Sequence, residues 1–293
     1  MPPLSTRYLA VPLMLLLALA GTAAGWHQRG HEALSRWAVA LLPEDVPAFV
    51  RDGADVIAHV TVDPDVHRHR KFAQLRATEG AEHFIDLELM KGAPLPRTRY
   101  ELLRWCAAND VDPQRLGMVP YAVTEATQRL TIAFAEHRRW PDNDVIRQKC
   151  LVYAGLLAHY AQDLCMPLHT TVHFDGRLDA EGRSPRSGIH SRVDALPGKL
   201  TLPDDAFEAV RPLKPFDDVF AAVLAELQTS HALVDTVYAL EPNLPADADP
   251  ITDEAVLHFA RSRSIATATF TARLILTAWR DSATVELDDW LQR

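Results

Sequence analysis

The stretch DVIRQKCLVYAGLLAHYAQDLC, Asp144 to Cys165, reads as one long helix that carries an imidazole and a carboxylate four residues apart, His159 and Asp163. A helix of 3.6 residues per turn sets positions i and i+4 side by side, with Cβ atoms about 5–6 Å apart. Two ligands at that spacing can grip one ion without bending the backbone. Leu156, Leu157 and Tyr160 make the helix largely apolar, so the pair is expected to point inward. An inward carboxylate needs a partner, and a cation is the most effective one. A hydrogen-bonded structural His–Asp pair fits the same spacing, so this stretch alone leaves both readings open.

Working outward, Pro167 disfavours helix at Met166. His169 is therefore expected just past the helix end, close to the first pair. After a loop, His190 and Asp194 repeat the i, i+4 arrangement. His169, His190 and Asp194 are three ligand types, enough for a catalytic zinc that keeps one position open. Upstream, His83 and one of Asp63 or Asp65 could complete a site around His159 and Asp163. At the other end stand Trp26 and His31. If the chain is cleaved after Gly25, the amine and carbonyl of Trp26 become a chelate, since an α-amino group of pKa about 8 loses its proton to a metal at modest cost.

Helical periodicity dominates the rest of the chain. Further helices are predicted over 32–42, 44–60, 100–108, 120–137, 216–239 and 252–282. The Pro-bearing stretches 91–97, 197–203, 211–215 and 242–250 read as connections, and the Gly-, Asp- and Arg-rich region 170–189 as a loop. No segment alternates at period two for long enough to predict a sheet. The expected fold is all-α, a single-domain multi-helix bundle over residues 26–293, with its chemistry on helix faces and helix ends.

The first 25 residues read as an export signal. Arg7 is the one charge, an apolar run covers Leu9 to Ala20, and Ala23-Ala24-Gly25 fits a signal-peptidase site before Trp26. The predicted destination is the periplasm or the exterior. A net charge of −9 excludes a basic face for gripping a long duplex. Cys106, Cys150 and Cys165 permit one disulfide at most, and Cys150 and Cys165 share a helix and cannot pair. No Cys-x-x-Cys occurs, so cysteine-bound zinc is not expected.

Taken in order, these elements resemble the superfamily of zinc-dependent single-strand nucleases and zinc-dependent phospholipases C. Its pattern is a mature N-terminal Trp, a His five residues on, an Asp, a His, His-x-x-x-Asp, a His six residues later, then His-x-x-x-Asp or His-x-x-x-Glu. Every element occurs here between Trp26 and Asp194. The resemblance implies three zinc ions. Asp65, His83, His159 and Asp163 would hold one; His169, His190 and Asp194 a second; Trp26, His31 and a bridging Asp163 the third. It prefers Asp65 to Asp63, because Asp-x-x-Arg then reaches Arg68, which would steady transition-state charge. His83-Phe84-Ile85-Asp86 matches the nuclease branch, in which Phe84 would stack on a base and Asp86 accept from its edge. Asp194 matches that branch as well, whereas Cys165-Met166 departs from the His-Gln of its Asp-x-His-Gln-Pro-Leu-His.

The resulting expectation is an exported zinc-dependent phosphoric ester hydrolase, nuclease or 3′-nucleotidase first, with Asp163 and Arg68 as its catalytic residues. Its substrate partner is a single-stranded nucleic acid or nucleotide. The alternative is a phospholipase C-like enzyme acting on a lipid headgroup, and a second alternative is a non-catalytic exported helical binding module. No stable protein partner is implied, and a monomer is expected. The surplus histidines His67, His69, His137, His173, His231 and His258 fit no ligand spacing and are expected to face solvent or to cap, with His173 near enough to the site to touch substrate.

Overall fold

The computed structural model describes residues 26–203, 205–246 and 248–293, with the side chains of Trp26 and His27 outside the description. The leader expected over 1–25, the cleavage before Trp26 and the amine-and-carbonyl chelate at Trp26 lie outside the described residues. Among these residues the fold is all-α. Isolated bridges at Ile85–Gly117 and Phe174–Gly176 take the place of a sheet.

The first helices are α1 (Trp26–Ala40), α2 (Ala48–Asp52), α3 (Ala54–Val60), α4 (Asp63–His67) and α5 (Ala73–Glu79). Next come α6 (Arg99–Asn109), α7 (Pro113–Leu116), α8 (Val119–Arg139) and α9 (Asp144–Cys165). The last four are α10 (Ile189–Asp194), α11 (Val219–Ala232), α12 (Val234–Leu240) and α13 (Glu254–Asp281). The helix expected over 44–60 is two helices, parted at Gly53. The one expected over 216–239 is also two, parted at Leu233.

Helix ends follow local chemistry. Thr98 and Glu101 form a capping box at the start of α6, supplying partners for donors the helix cannot satisfy itself. The Asn143 side chain accepts from the Val145 and Ile146 amides and starts α9. At the other end of α9, Met166 turns extended ahead of Pro167, and the chain enters the 3-10 turn Pro167–Thr170.

α9 is the spine of the fold. It packs along α8, and α3, α13, α1 and α11 also lie against it. Its burial is nearly complete from Ala154 to Cys165, which explains why its polar face must be satisfied internally. Gly155 sets how closely α9 approaches α3. A Cβ there would come within 2.6 Å of the Val60 Cβ and 2.9 Å of the Ile57 carbonyl oxygen. Gly155→Ala is therefore expected to destabilise the fold by about 1–3 kcal/mol through overpacking, read as a lower denaturant midpoint.

The cysteines form no disulfide. Cys106, Cys150 and Cys165 are all buried thiols, and burial pushes the Cys150 thiol up to about 12. His137 corrects the expectation of a solvent-facing residue: it is buried, its ring edge-on to Phe49 and 6.4 Å from Trp279.

Candidate metal centre

Five other segments meet at the C-terminal half of α9. α1 brings His31, α4 brings Asp65, the 3-10 turn Gly80–His83 brings His83, and α9 itself brings His159 and Asp163. The turn after α9 brings His169, and α10 brings His190 and Asp194. Backbone pairing fixes two of these segments on each other. The Ile85 amide donates to the His169 carbonyl at 2.8 Å, and His169 Nδ1 donates to the His83 carbonyl at 2.6 Å. Gly117, at φ +88°, lets the strand of backbone around Phe84 pass where any Cβ would meet the Phe84 carbonyl oxygen at 2.1 Å.

Asp163 is the hub. Its Oδ2 lies 2.9 Å from His83 Nδ1, 3.2 Å from His159 Nε2 and 3.7 Å from His169 Nδ1. Its Oδ1 lies 3.4 Å from His31 Nε2. Burial alone would raise this carboxyl, but the charges of His159 and His169 and hydrogen bonds from His159 and His83 hold it well below the usual carboxylate range. Asp65 is likewise lowered despite burial, mainly by His159. Asp65 Oδ1 comes within 3.9 Å of His83 Nδ1. Asp63 joins none of the ligand groups.

Among the described residues the potential ligands form three groups: His31, His159 and Asp163; Asp65, His83 and His159; and His169, His190 and Asp194. Within each group the ligand atoms lie within 4.8 Å of one another. The first two groups share His159, and Asp163 touches members of all three. Nitrogen and oxygen donors in sets of three suit zinc. The orientation of the rings fits the same conclusion. The Thr61 carbonyl can only accept, so His159 Nδ1, 2.7 Å away, carries a proton, and Nε2 is the nitrogen turned to the cluster that would face an ion. His169 follows the same logic, and its Nε2 is buried without a hydrogen bond among the described residues, 3.7 Å from Asp194 Oδ2. Burial opposes charge on the His169 ring, but Asp163 and Asp194 outweigh it and raise the ring to about 10. Burial instead lowers His83 to about 4. A site that must otherwise keep one imidazole charged and another neutral within a few ångströms is well matched to divalent cations.

Several side chains that hold these ligands carry no motif of their own. Gln162 Oε1 sits 2.7 Å from His31 Nδ1, and Gln162 Nε2 donates to Ser35 Oγ. Glu79, buried at the end of α5, faces His83 Nε2 at 3.7 Å and accepts from the Tyr160 hydroxyl at 2.5 Å. The i, i+4 spacing of Glu79 and His83 is the one sequence signal that could have found it. Such outer carboxylates fix the orientation and basicity of a ligand imidazole. Glu79→Gln is expected to weaken zinc retention by about 10–100-fold, measured against a competing chelator, with Tyr160→Phe changing it less.

A cleft of about 330 Å³ opens beside the ligands, lined by Arg68, Arg76, His83, Phe84, Asp86, His169, Phe174 and His190 among others. Arg68 reaches back to Asp65, Nη1 to Oδ1 3.2 Å, and its side chain is 44 % exposed, free to meet a bound anion. Phe84 and Asp86 both reach this cleft; Arg76 and Phe174 are additions that the sequence motifs did not mark. His173 does not line it: its ring accepts from the Leu178 amide within the 170–189 loop. Burial, with Glu88 nearby, pushes the Asp86 carboxyl up to about 7. The folded state thus binds more protons than the unfolded one between the ordinary value of 3.8 and about 7, so this group costs stability as pH rises through that window. Asp86→Asn is expected to flatten that part of the stability profile, read from denaturation midpoints at about pH 5 and about pH 8.

No protein-family model matches the sequence, and no curated protein matches it. Among solved structures, the chain is similar to the alpha toxin from Clostridium absonum, with a TM-score of 0.43 and 13 % identity over 89 % of this chain and 67 % of that chain. Among the described residues, no helix is long and apolar enough to cross a membrane.

Proposed function

We propose that this protein is a zinc-dependent phosphoric ester hydrolase. The observation that carries the reading is Asp163, one buried carboxylate set within 3.7 Å of His31, His83, His159 and His169, next to a cleft that holds a guanidinium. Zinc held there by Asp65, His83, His159, Asp163, His169, His190, Asp194 and His31 would supply a Lewis acid able to lower the pKa of water to about 7 and to neutralise phosphate charge.

The chain's own groups then have defined tasks. Asp163 holds the imidazoles in one constellation and presents negative charge to the ions. Arg68, steered by Asp65, offers a planar fork to the equatorial phosphate oxygens. Phe84 and Phe174 form apolar walls that exclude water beside the ester. The Gln162 and Glu79 contacts keep the His31 and His83 rings from turning away.

For the substrate, a phospholipid headgroup ester is placed first. The favouring observation is the apolar surface left outside next to the cleft, with Phe174 on its lining 43 % exposed and Phe72 of the adjoining segment 55 % exposed. A nucleotide ester is the second reading, resting on Phe84 as a stacking platform and Asp86 beside it. The zinc-loaded protein assayed on phosphatidylcholine, a 3′-nucleotide and a short single-stranded oligonucleotide decides between them. Phosphatidylcholine is expected to turn over fastest, and chelation to stop it. Zinc below two ions per chain, or no cleavage of any of the three, would overturn the hydrolase reading.

A further inference from the structure

The segment 66–78 is exposed along its whole length, from the end of α4 to the last turn of α5. It carries Arg68, Arg70, Lys71 and Arg76 and no carboxylate, in a chain whose net charge is −9. Its large apolar side chains are outside as well: Val66 is 62 % exposed, Phe72 55 % and Leu75 44 %. Lys71 Nζ lies 5.9 Å from the centre of the Phe72 ring, so charge and apolar surface alternate at short range.

The two kinds of side chain are not placed alike. Arg68 and Arg76 line the cleft beside the metal ligands, and Arg70 and Arg76 line a shallower groove that continues from it over Gly80 and Phe84. Val66, Phe72 and Leu75 line neither. A polynucleotide following the groove would meet the guanidinium groups and leave these three in water. A flat layer laid across the mouth would bury them while the Arg and Lys heads reached anionic groups at its surface, their stems lying along the apolar side chains.

We propose that residues 66–78 form an interfacial docking surface that seats the mouth of the cleft on an anionic phospholipid layer; the assignment rests on the headgroup-ester reading above. Phe72 and Leu75 enter the boundary between headgroups and acyl chains, and Arg70 and Lys71 pair with lipid phosphates. Phe174, on the lining of the cleft, adds a further apolar contact. The basic segment supplies locally the charge complementarity that an acidic chain lacks overall.

The test uses the zinc-loaded full chain and two double variants, F72S/L75S and R70Q/K71Q. Co-sedimentation with phosphatidylcholine vesicles containing phosphatidylserine reads docking, and hydrolysis of a water-soluble phosphorylcholine ester reads the site itself. The parent is expected to bind the vesicles. Each double variant is expected to bind at least about tenfold more weakly, since one cation near an anionic surface is worth about fivefold. R70Q/K71Q should also lose most of the salt dependence of binding. Soluble-ester hydrolysis and affinity for a short single-stranded oligonucleotide should match the parent in both. A parent that does not sediment with vesicles, or variants that sediment as well as it does, would overturn the docking surface. So would variants whose one loss is oligonucleotide affinity, which would reassign the segment to nucleic acid. Vesicle binding is read without turnover, so a parent that docks yet cleaves no phosphate ester supports the surface and overturns the hydrolase reading alone.

Discussion

Asp163→Asn is expected to lose hydrolysis by about 10²–10³-fold or more, the scale of removing one preorganised electrostatic contact in a buried site. Asparagine keeps the shape but not the charge, and its amide nitrogen must face one of the four imidazoles that now point at Asp163 Oδ1 and Oδ2. Zinc content should fall with activity, because the carboxylate borders all three ligand groups. A purely structural His–Asp pair makes a different forecast: the variant would be less stable, with a metal content identical to the parent's. Elemental analysis and a thermal melt on the same sample therefore separate the two readings. A variant that retains full zinc and full turnover would remove Asp163 from the centre of the site.

The pH dependence of the metal-free protein adds a sign to that forecast. The folded-state pKa of Asp163 is depressed, so its contribution to stability is present above the ordinary carboxylate value and lost as pH falls toward the folded value. His169 has the opposite sense. Its pKa is raised to about 10, so its contribution is present below the ordinary histidine value and lost as pH rises toward about 10. Between those limits the metal-free chain holds the two as an ion pair. In Asp163→Asn both slopes should diminish together, because one group is the main support of the other.

α9 was legible end to end, since its apolar face runs unbroken and Asn143 and Pro167 mark its limits. The inward turn of His159 and Asp163 followed from Leu156, Leu157 and Tyr160, and both residues are buried. The short helices α4, α5 and α7 were not legible. They bury few side chains, so they print no periodicity, and residues 66–78 print none because the whole segment faces water. Gly53 and Leu233 break two apolar stretches whose periodicity runs straight through the break, a consequence of packing against α9 and α8 that no local pattern records. The ligand types were visible from spacing, whereas Glu79, Tyr160 and Gln162 became visible with the fold, because their partners lie 81, 81 and 131 residues away or on another turn. His137 shows the reverse error, a polar residue type expected outside that packs between Phe49 and Trp279.

Stripping the metal is expected to lower the melting temperature by about 10 °C or more. An ion present at a thousandfold excess over its dissociation constant stabilises the folded chain by about 4 kcal/mol per site, and a chain of this size shifts by about 2–4 °C per kcal/mol. The physical reason lies in what the cations balance. Asp65, Asp163 and Asp194 stand among His31, His83, His159, His169 and His190, with Asp163, His83, His159 and His169 buried and the others half-buried. Without cations the cluster must hold protons instead, and burial disfavours them on His31 and His83. Zinc bound at His169 would replace its proton, so loading at neutral pH should release protons and weaken as the medium is acidified. Calorimetric titration in two buffers of different ionisation enthalpy reads that release. Segments that converge through the cluster should loosen first on stripping: the 83–86 segment, the 167–170 turn and α10, each of which carries at least one ligand residue. Amide exchange should therefore rise there while the α8–α9–α13 core keeps its protection. A melting temperature unchanged by chelation, with protection unchanged in those three segments, would mean that the imidazoles and carboxylates are held by each other and not by an ion.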